Sequence, residues 1–221
     1  MQRLSKAVAY ALTGATTMMT LLLLTPGTAQ AQGQGKLAAA APVTYDNRYE
    51  VYGGINFRNF QAGQNVTERM NMGGGEVLGT YWLTDKIGLG ADFRGDAGTT
   101  PTMPVPAELY KGHPVVYLLT GMVGAQYRGP KNQHAALNYH AYGGVTHGTF
   151  DATADTQVAA LMGLYSNRTK PTFALGASLD FNRSKRLAIR IQPDLLIEHF
   201  GTDTREFFAI SGGLVYRIGK R

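Results

Sequence analysis

Residues 187–200 read LAIRIQPDLLIEHF, and the side chains alternate in kind. Leu187, Ile189, Ile191, Pro193, Leu195 and Ile197 fall on one side. Arg190, Gln192, Asp194 and Glu198 fall on the other. A period of two is the mark of a β-strand, because successive side chains point to opposite faces. Such a strand separates an apolar surrounding from a polar one. In a soluble sandwich the apolar side faces a core and the charged side faces water. In a membrane barrel the apolar side faces lipid and the charged side faces a lumen.

The same alternation recurs along the chain. Eight segments read as strands: 49–60, 70–83, 86–95, 115–128, 134–148, 171–182, 186–199 and 205–219. Most run 10–15 residues, longer than the roughly 5–6 of a typical soluble strand. A tilted strand crossing a bilayer needs about 9–11. The links alternate as well. Thr84-Asp85, residues 129–133 and Arg183-Ser184-Lys185 are tight turns, whereas 61–69, 96–114 and 149–170 are long; 200–204 is the short exception. Short turns on one side and long loops on the other characterise outer-membrane barrels. The spacing therefore predicts lipid against the aliphatic faces.

The polar faces are sparse and rich in glycine, as a narrow, filled interior requires. Their acids are Glu50, Glu76, Asp92, Asp180, Asp194 and Glu198; their bases are Arg58, Arg94, Arg128, Arg190 and Arg217. That near balance suits a buried network, since an unpaired buried charge is costly. Glu76, Asp92, Arg94, Arg190 and Asp194 are either a gate for small ions or a structural plug, and a side-chain-filled barrel of eight strands favours the plug. Two aromatic girdles are expected at the membrane interfaces. Tyr81, Tyr127, Phe181 and Tyr216 fall near the short-turn ends, and Phe57, Phe93, Phe173 and Phe208 near the long-loop ends. Pro193 removes a ladder hydrogen bond, and Gly73-Gly74-Gly75 blurs the alternation; a bulge at either place would absorb the disturbance.

The first residues do not share this pattern. Arg3 and Lys6 precede an apolar run ending in Leu21-Leu22-Leu23-Leu24, then Pro26-Gly27 and Ala29-Gln30-Ala31. That is the form of a secretory signal peptide, expected over 1–31 and cleaved on export. Residues 32–48 read as a flexible Gln/Gly/Ala-rich leader, and 49–221 as one barrel domain. The chain has no cysteine, so a disulfide scaffold and a thiolate metal or redox site are excluded. Without Arg3 and Lys6, 19 basic residues stand against 15 acidic ones, net +4. That is too mild to point to nucleic acid. No cofactor or metal is expected; His113, His134 and His140 are too scattered to be ligands.

Taken together, the eight alternating strands, the loop asymmetry and the last strand GGLVYRIG over 212–219 resemble the small bacterial outer-membrane barrels of the OmpA/OmpX type. The resemblance covers 49–221. It implies an all-β, eight-stranded, antiparallel up-and-down transmembrane barrel in the outer membrane of a Gram-negative cell. It also implies a monomeric, non-enzymatic, structural or surface-interacting role, with outer-membrane lipid, lipopolysaccharide and the assembly machinery as partners. The family's last strand usually ends in an aromatic; here Tyr216 is followed by Ile218-Gly219-Lys220-Arg221. Lys111, Arg168, Lys170 and Arg205 on the long loops are candidate lipopolysaccharide contacts. Arg94-Gly95-Asp96 spells an attachment tripeptide, but chance is the better explanation of so short a match. Two alternatives stand beside this reading. One is a lipid-modifying barrel enzyme, an acyl hydrolase using His147 with Thr149, for which no orienting acid is identifiable. The other is a secreted soluble barrel with its apolar faces turned inward around a ligand.

Overall fold

The computed structural model describes residues 43–63, 66, 68–101, 113–151, 155–202 and 204–220. The expected signal peptide and the leader up to residue 42 lie outside them. The strands are β1 (Tyr49–Phe60), β2 (Met70–Trp82), β3 (Ile87–Thr99), β4 (Val115–Lys131), β5 (Ala135–Thr149), β6 (Arg168–Asn182), β7 (Leu187–Glu198) and β8 (Arg205–Ile218). One short helix, α1 (Thr156–Leu161), lies in the β5–β6 loop. Each strand pairs antiparallel with the next, and β8 pairs back onto β1. The sheet is a closed, eight-stranded, up-and-down barrel.

Three tight turns join strands at one end, and each is stapled by a short polar side chain. Thr84 Oγ1 accepts from Ile87 N at 2.9 Å, Asn132 Oδ1 from Ala135 N at 2.8 Å and Ser184 Oγ from Leu187 N at 3.0 Å. These side chains replace a backbone acceptor across the turn. The longer connections all gather at the opposite end.

Burial alternates along the strands, with breaks at glycines and at strand ends. In β7 the pattern places Arg190, Gln192, Asp194 and Glu198 inside and leaves Ile189, Ile191 and Pro193 exposed. The outer wall is a continuous apolar band that includes Ile55, Val77, Leu89, Phe93, Leu119, Val123, Leu175 and Leu214, each half exposed or more. In water each such side chain would forfeit about 1.5–3 kcal/mol. A wall of this kind is stable against lipid. The soluble alternative, with these side chains lining an inner pocket, is therefore overturned: the aliphatic faces are outside.

The expected irregularities lie elsewhere. Gly73, Gly74 and Gly75 keep one register with both β1 and β3, so β2 has no bulge there. Pro193 keeps its register opposite Ile210 of β8. On the β6 side the ladder skips from Gly176–Asp194 to Leu179–Ile191 without a register change. A proline with no N–H leaves that gap and needs no extra residue. The bulge in the ladders falls between Arg128 and Lys131 of β4, around Gly129-Pro130. β3 also runs to Thr99, past the expected end at Gly95.

Candidate functional site

The barrel interior is built in layers. Nearest the tight turns, Glu50 of β1 is reached by Arg128 Nη2 at 2.5 Å, Arg190 Nη2 at 3.3 Å and Arg217 Nε at 3.4 Å. Asp180 of β6 takes Arg190 Nε at 2.6 Å and Arg217 Nη2 at 3.4 Å. The Arg128 guanidinium also lies 3.7 Å from the Trp82 ring centre. Strands β1, β4, β6, β7 and β8 are thus tied through one charged layer.

In the middle, one guanidinium serves three carboxylates. Arg94 of β3 reaches Asp92 at 2.7 Å, Asp194 at 2.6 Å and Glu76 at 3.5 Å. Gln192 Nε2 donates to Glu76 at 3.0 Å, and His140 Nε2 lies 2.5 Å from Asp194 Oδ1. The imidazole stacks on Tyr142, whose hydroxyl accepts from Gln126. Gly176 makes room for this pair. A Cβ there would collide with Asp194 Oδ1, His140 Nε2 and the Pro193 carbonyl.

In the third layer Arg58 of β1 bonds Glu198 at 2.9 Å and meets Asp96 at 3.3 Å. Asn56 donates to Asp96 at 2.8 Å, and Thr146 to Glu198 at 3.2 Å. Above it the polarity ends. Phe60, Phe150, Phe200, Phe207 and Tyr165 pack ring on ring, with centroids 4.7–6.3 Å apart, over Met70, Met72 and Leu118. Ala159 of α1 and Met162 and Leu164 after it complete this cap.

The opposite end is closed by the chain before β1. Residues 43–48, expected to be a flexible leader, are held against the barrel floor. Tyr45 is buried and adopts a left-handed backbone with φ 56°. Its hydroxyl donates to Asn132 O at 2.7 Å and accepts from Asn182 at 2.6 Å. Arg128, Lys131 and Arg217 stand 5.0–5.2 Å from its ring centre. Burial pushes the phenol above its usual pKa range.

Every lumen residue singled out from the sequence is buried inside: Glu50, Arg58, Glu76, Asp92, Arg94, Asp180, Arg190, Asp194, Glu198 and Arg217, with Arg128 beside them. One was missed. Asp96 lies inside with Arg58, so among the described residues seven buried carboxylates face five guanidiniums. Sequence reading ended β3 at Gly95; the signal for Asp96 was parity, since it is two residues beyond Arg94. The attachment tripeptide is overturned by the same observation, because Arg94 and Asp96 are both buried in the lumen.

The expected girdle residues are all on the outer wall: Tyr81, Tyr127, Phe181 and Tyr216 toward the tight turns, and Phe57, Phe173 and Phe208 toward the long loops; Phe93 is instead at mid-strand, because β3 runs on to Thr99. Tyr49 and Tyr139 extend the first ring by standing opposite Tyr81 and Tyr127. An apolar groove of 610 Å³ sinks into this wall over Gly79 and Ala91. His147 and Thr149 are both on the outward parity of β5, but His147 Nδ1 is 2.9 Å from Thr169 Oγ1 of β6 instead. No carboxylate bonds His147 among the described residues.

The cations expected on the long loops are scattered, and Arg168, Lys170 and Arg205 stand at the ends of β6 and β8 rather than in loops. Lys111 lies outside the described residues. Arg168 is exposed and bonds Ser166, Lys170 is half-buried opposite Thr146, and Arg205 bonds Gln61 at the mouth.

No protein-family model matches this chain, and no curated protein matches it either. Solved structures do. The chain is similar to Ail, the attachment invasion locus protein of Yersinia pestis, at 15% identity and a TM-score of 0.51, over 78% of this chain and 99% of that one. It is also similar to Neisserial surface protein A, at 8% identity and a TM-score of 0.53, over 77% and 97%. At that identity the likeness concerns the fold, which is that of the small eight-stranded outer-membrane barrels.

Proposed function

We propose that the protein is a non-conducting, non-enzymatic outer-membrane barrel whose role is structural or directed to the cell surface. One observation carries this reading: the interior is filled by paired charges and closed at both ends, while the wall is apolar. A pore would need a water-filled path, and here the guanidiniums of Arg58, Arg94, Arg128 and Arg190 occupy the axis region fully buried. An acyl hydrolase would need a base held by an acid beside a nucleophile. His147 instead faces a threonine.

The tight turns would then face the periplasm and the long loops the exterior, as in barrels of this class. The test is made on the full chain expressed in a Gram-negative host. It should fractionate with the outer membrane and migrate differently on gels when boiled. Reconstituted in a planar bilayer, it should show no stepwise conductance. Discrete ion steps would remove the plug reading. A protein in the soluble fraction would remove the membrane reading altogether.

A further inference from the structure

At the long-loop rim, outside the lumen, a polar pocket of 350 Å³ is lined by Arg69, Met70, Asn71, Thr99, Thr100, Pro101 and His113. Among the described residues no carboxylate lines it. We infer that this pocket binds a phosphate group of an outer-leaflet glycolipid, with Arg69 and His113 as the anion contacts. The inference rests on the membrane reading above and names a lipid for one place on that surface.

Arg69 is positioned in advance. Its Nη1 donates to Asn59 Oδ1 at 3.2 Å and its Nη2 to the Glu206 carbonyl at 3.5 Å. Its guanidinium stands 5.9 Å from the Phe207 ring centre. Asn59 in turn donates to Asn71 Oδ1 at 3.0 Å. These contacts leave the remaining N–H donors of an exposed guanidinium available, and phosphate is the oxyanion its fork geometry suits. Across the pocket, His113 Nδ1 is 2.9 Å from the Thr100 carbonyl. A carbonyl only accepts, so Nδ1 carries a hydrogen; Nε2 meets a phosphate oxygen as a donor only in the imidazolium, the form that a neighbouring phosphate favours. The Thr99 hydroxyl is a short donor on the exposed side, whereas Thr100 beside it is buried. Glu68 adjoins Arg69 in the chain but does not line the pocket.

Height selects a lipid headgroup. Asn71 lies two residues beyond Gly73, which stands opposite Phe57. That is about 7 Å along the strand on the loop side of the aromatic boundary. Acyl chains would run down the apolar wall of β2 and β3, over Gly73, Gly75 and Gly95, where nothing lies within 4 Å of an added Cβ at Gly73 or Gly95. Bisphosphorylated lipid A is the probe that presents both parts.

The experiment is a native mass-spectrometric titration of detergent-purified full chain. The ligands are hexa-acylated bisphosphorylated lipid A and its dephosphorylated form, with inorganic phosphate as competitor. The wild type should retain lipid A, and R69Q and H113Q should each weaken retention about tenfold, the loss of one charge-assisted contact. R183Q, at a tight turn, should bind as wild type does. Equal binding by wild type, R69Q and H113Q would overturn the proposal. So would equal retention of the dephosphorylated lipid, or displacement by inorganic phosphate at lipid A's own concentration, which would mark a site for free anions. Each variant is first checked for the heat-dependent gel shift. A wild type without that shift brings down the membrane reading, and the pocket with it.

Discussion

The barrel's interior is closed by opposite means at its two ends. From the tight turns up through the membrane span, five guanidiniums and seven carboxylates are stitched across strands in three layers, with Tyr45 as a floor. Toward the long loops, Phe60, Phe150, Phe200, Phe207 and Tyr165 form a small hydrophobic core of the kind found in a soluble domain. The difference follows from what surrounds each part. Inside the apolar wall no bulk water is available, so each charge needs a partner within reach. At the loop end the aromatic rings are covered by residues of α1 and its neighbouring loops and stabilised by burial from water. The charged part crosslinks strands; the cap orders loops.

This contrast makes testable claims. The largest effect is expected from Arg94→Ala, which strands Glu76, Asp92 and Asp194 without their guanidinium. It should cost about 3–5 kcal/mol, read as a lower urea midpoint for loss of the gel shift in lipid vesicles. An unchanged midpoint would mean that the middle layer does not hold the barrel. Phe150→Ala should cost about 3 kcal/mol locally. It should open loops 61–69 and 150–167 to protease while the gel shift survives; loss of the shift would make cap and barrel one cooperative unit.

A smaller effect separates inside from outside. Gly176→Ala pushes a methyl onto the His140–Asp194 pair and should cost about 1–3 kcal/mol. Gly79→Ala adds one to an open outer wall, with nothing within 4 Å, and should change the unfolding midpoint by less than about 0.5 kcal/mol. Equal effects would contradict the tight interior. Tyr45→Phe removes the hydroxyl bonded to Asn132 and Asn182 and should cost about 1 kcal/mol, seen as faster amide exchange in 43–48 with the cap unaffected.

The smallest effect is at the cap's edge. Asn167 and Thr156 donate to Asp151 and hold its carboxyl below the usual range. A depressed carboxylate contributes order above its unfolded pKa and loses it as pH falls through the folded one. Acidification below the ordinary carboxylate range should therefore speed exchange of the Phe150 N–H, which donates to Asn167 Oδ1 at 2.7 Å. Exchange corrected for its intrinsic pH dependence should otherwise stay flat.

Much of this was legible because a strand's period is two. Parity alone placed Arg190, Asp194 and Glu198 inside and Ile189 and Ile191 outside, once length and loop asymmetry selected lipid. Parity failed only where a strand's end was misjudged: Asp96 was counted as loop, and with it an ion pair of Arg58 was lost. The aromatic cap was not legible. Phe60, Phe150, Phe200 and Tyr165 lie at strand ends or in loops, where no period links them, and only closure of the barrel brings them together. The floor was hidden for a similar reason. Tyr45 sits in a stretch of no periodicity, and its partners Asn132 and Asn182 are far along the chain.

The chain by itself therefore determined that eight strands alternate, which face of each is apolar and which charges share the polar side. Those are local properties of a backbone whose side chains alternate. Which guanidinium meets which carboxylate, what seals each end and where a phosphate-sized pocket opens were decided only by the tertiary structure. Barrel closure sets the registers of all eight ladders at once, and a contact across the lumen depends on strands that are neighbours in space and distant in sequence.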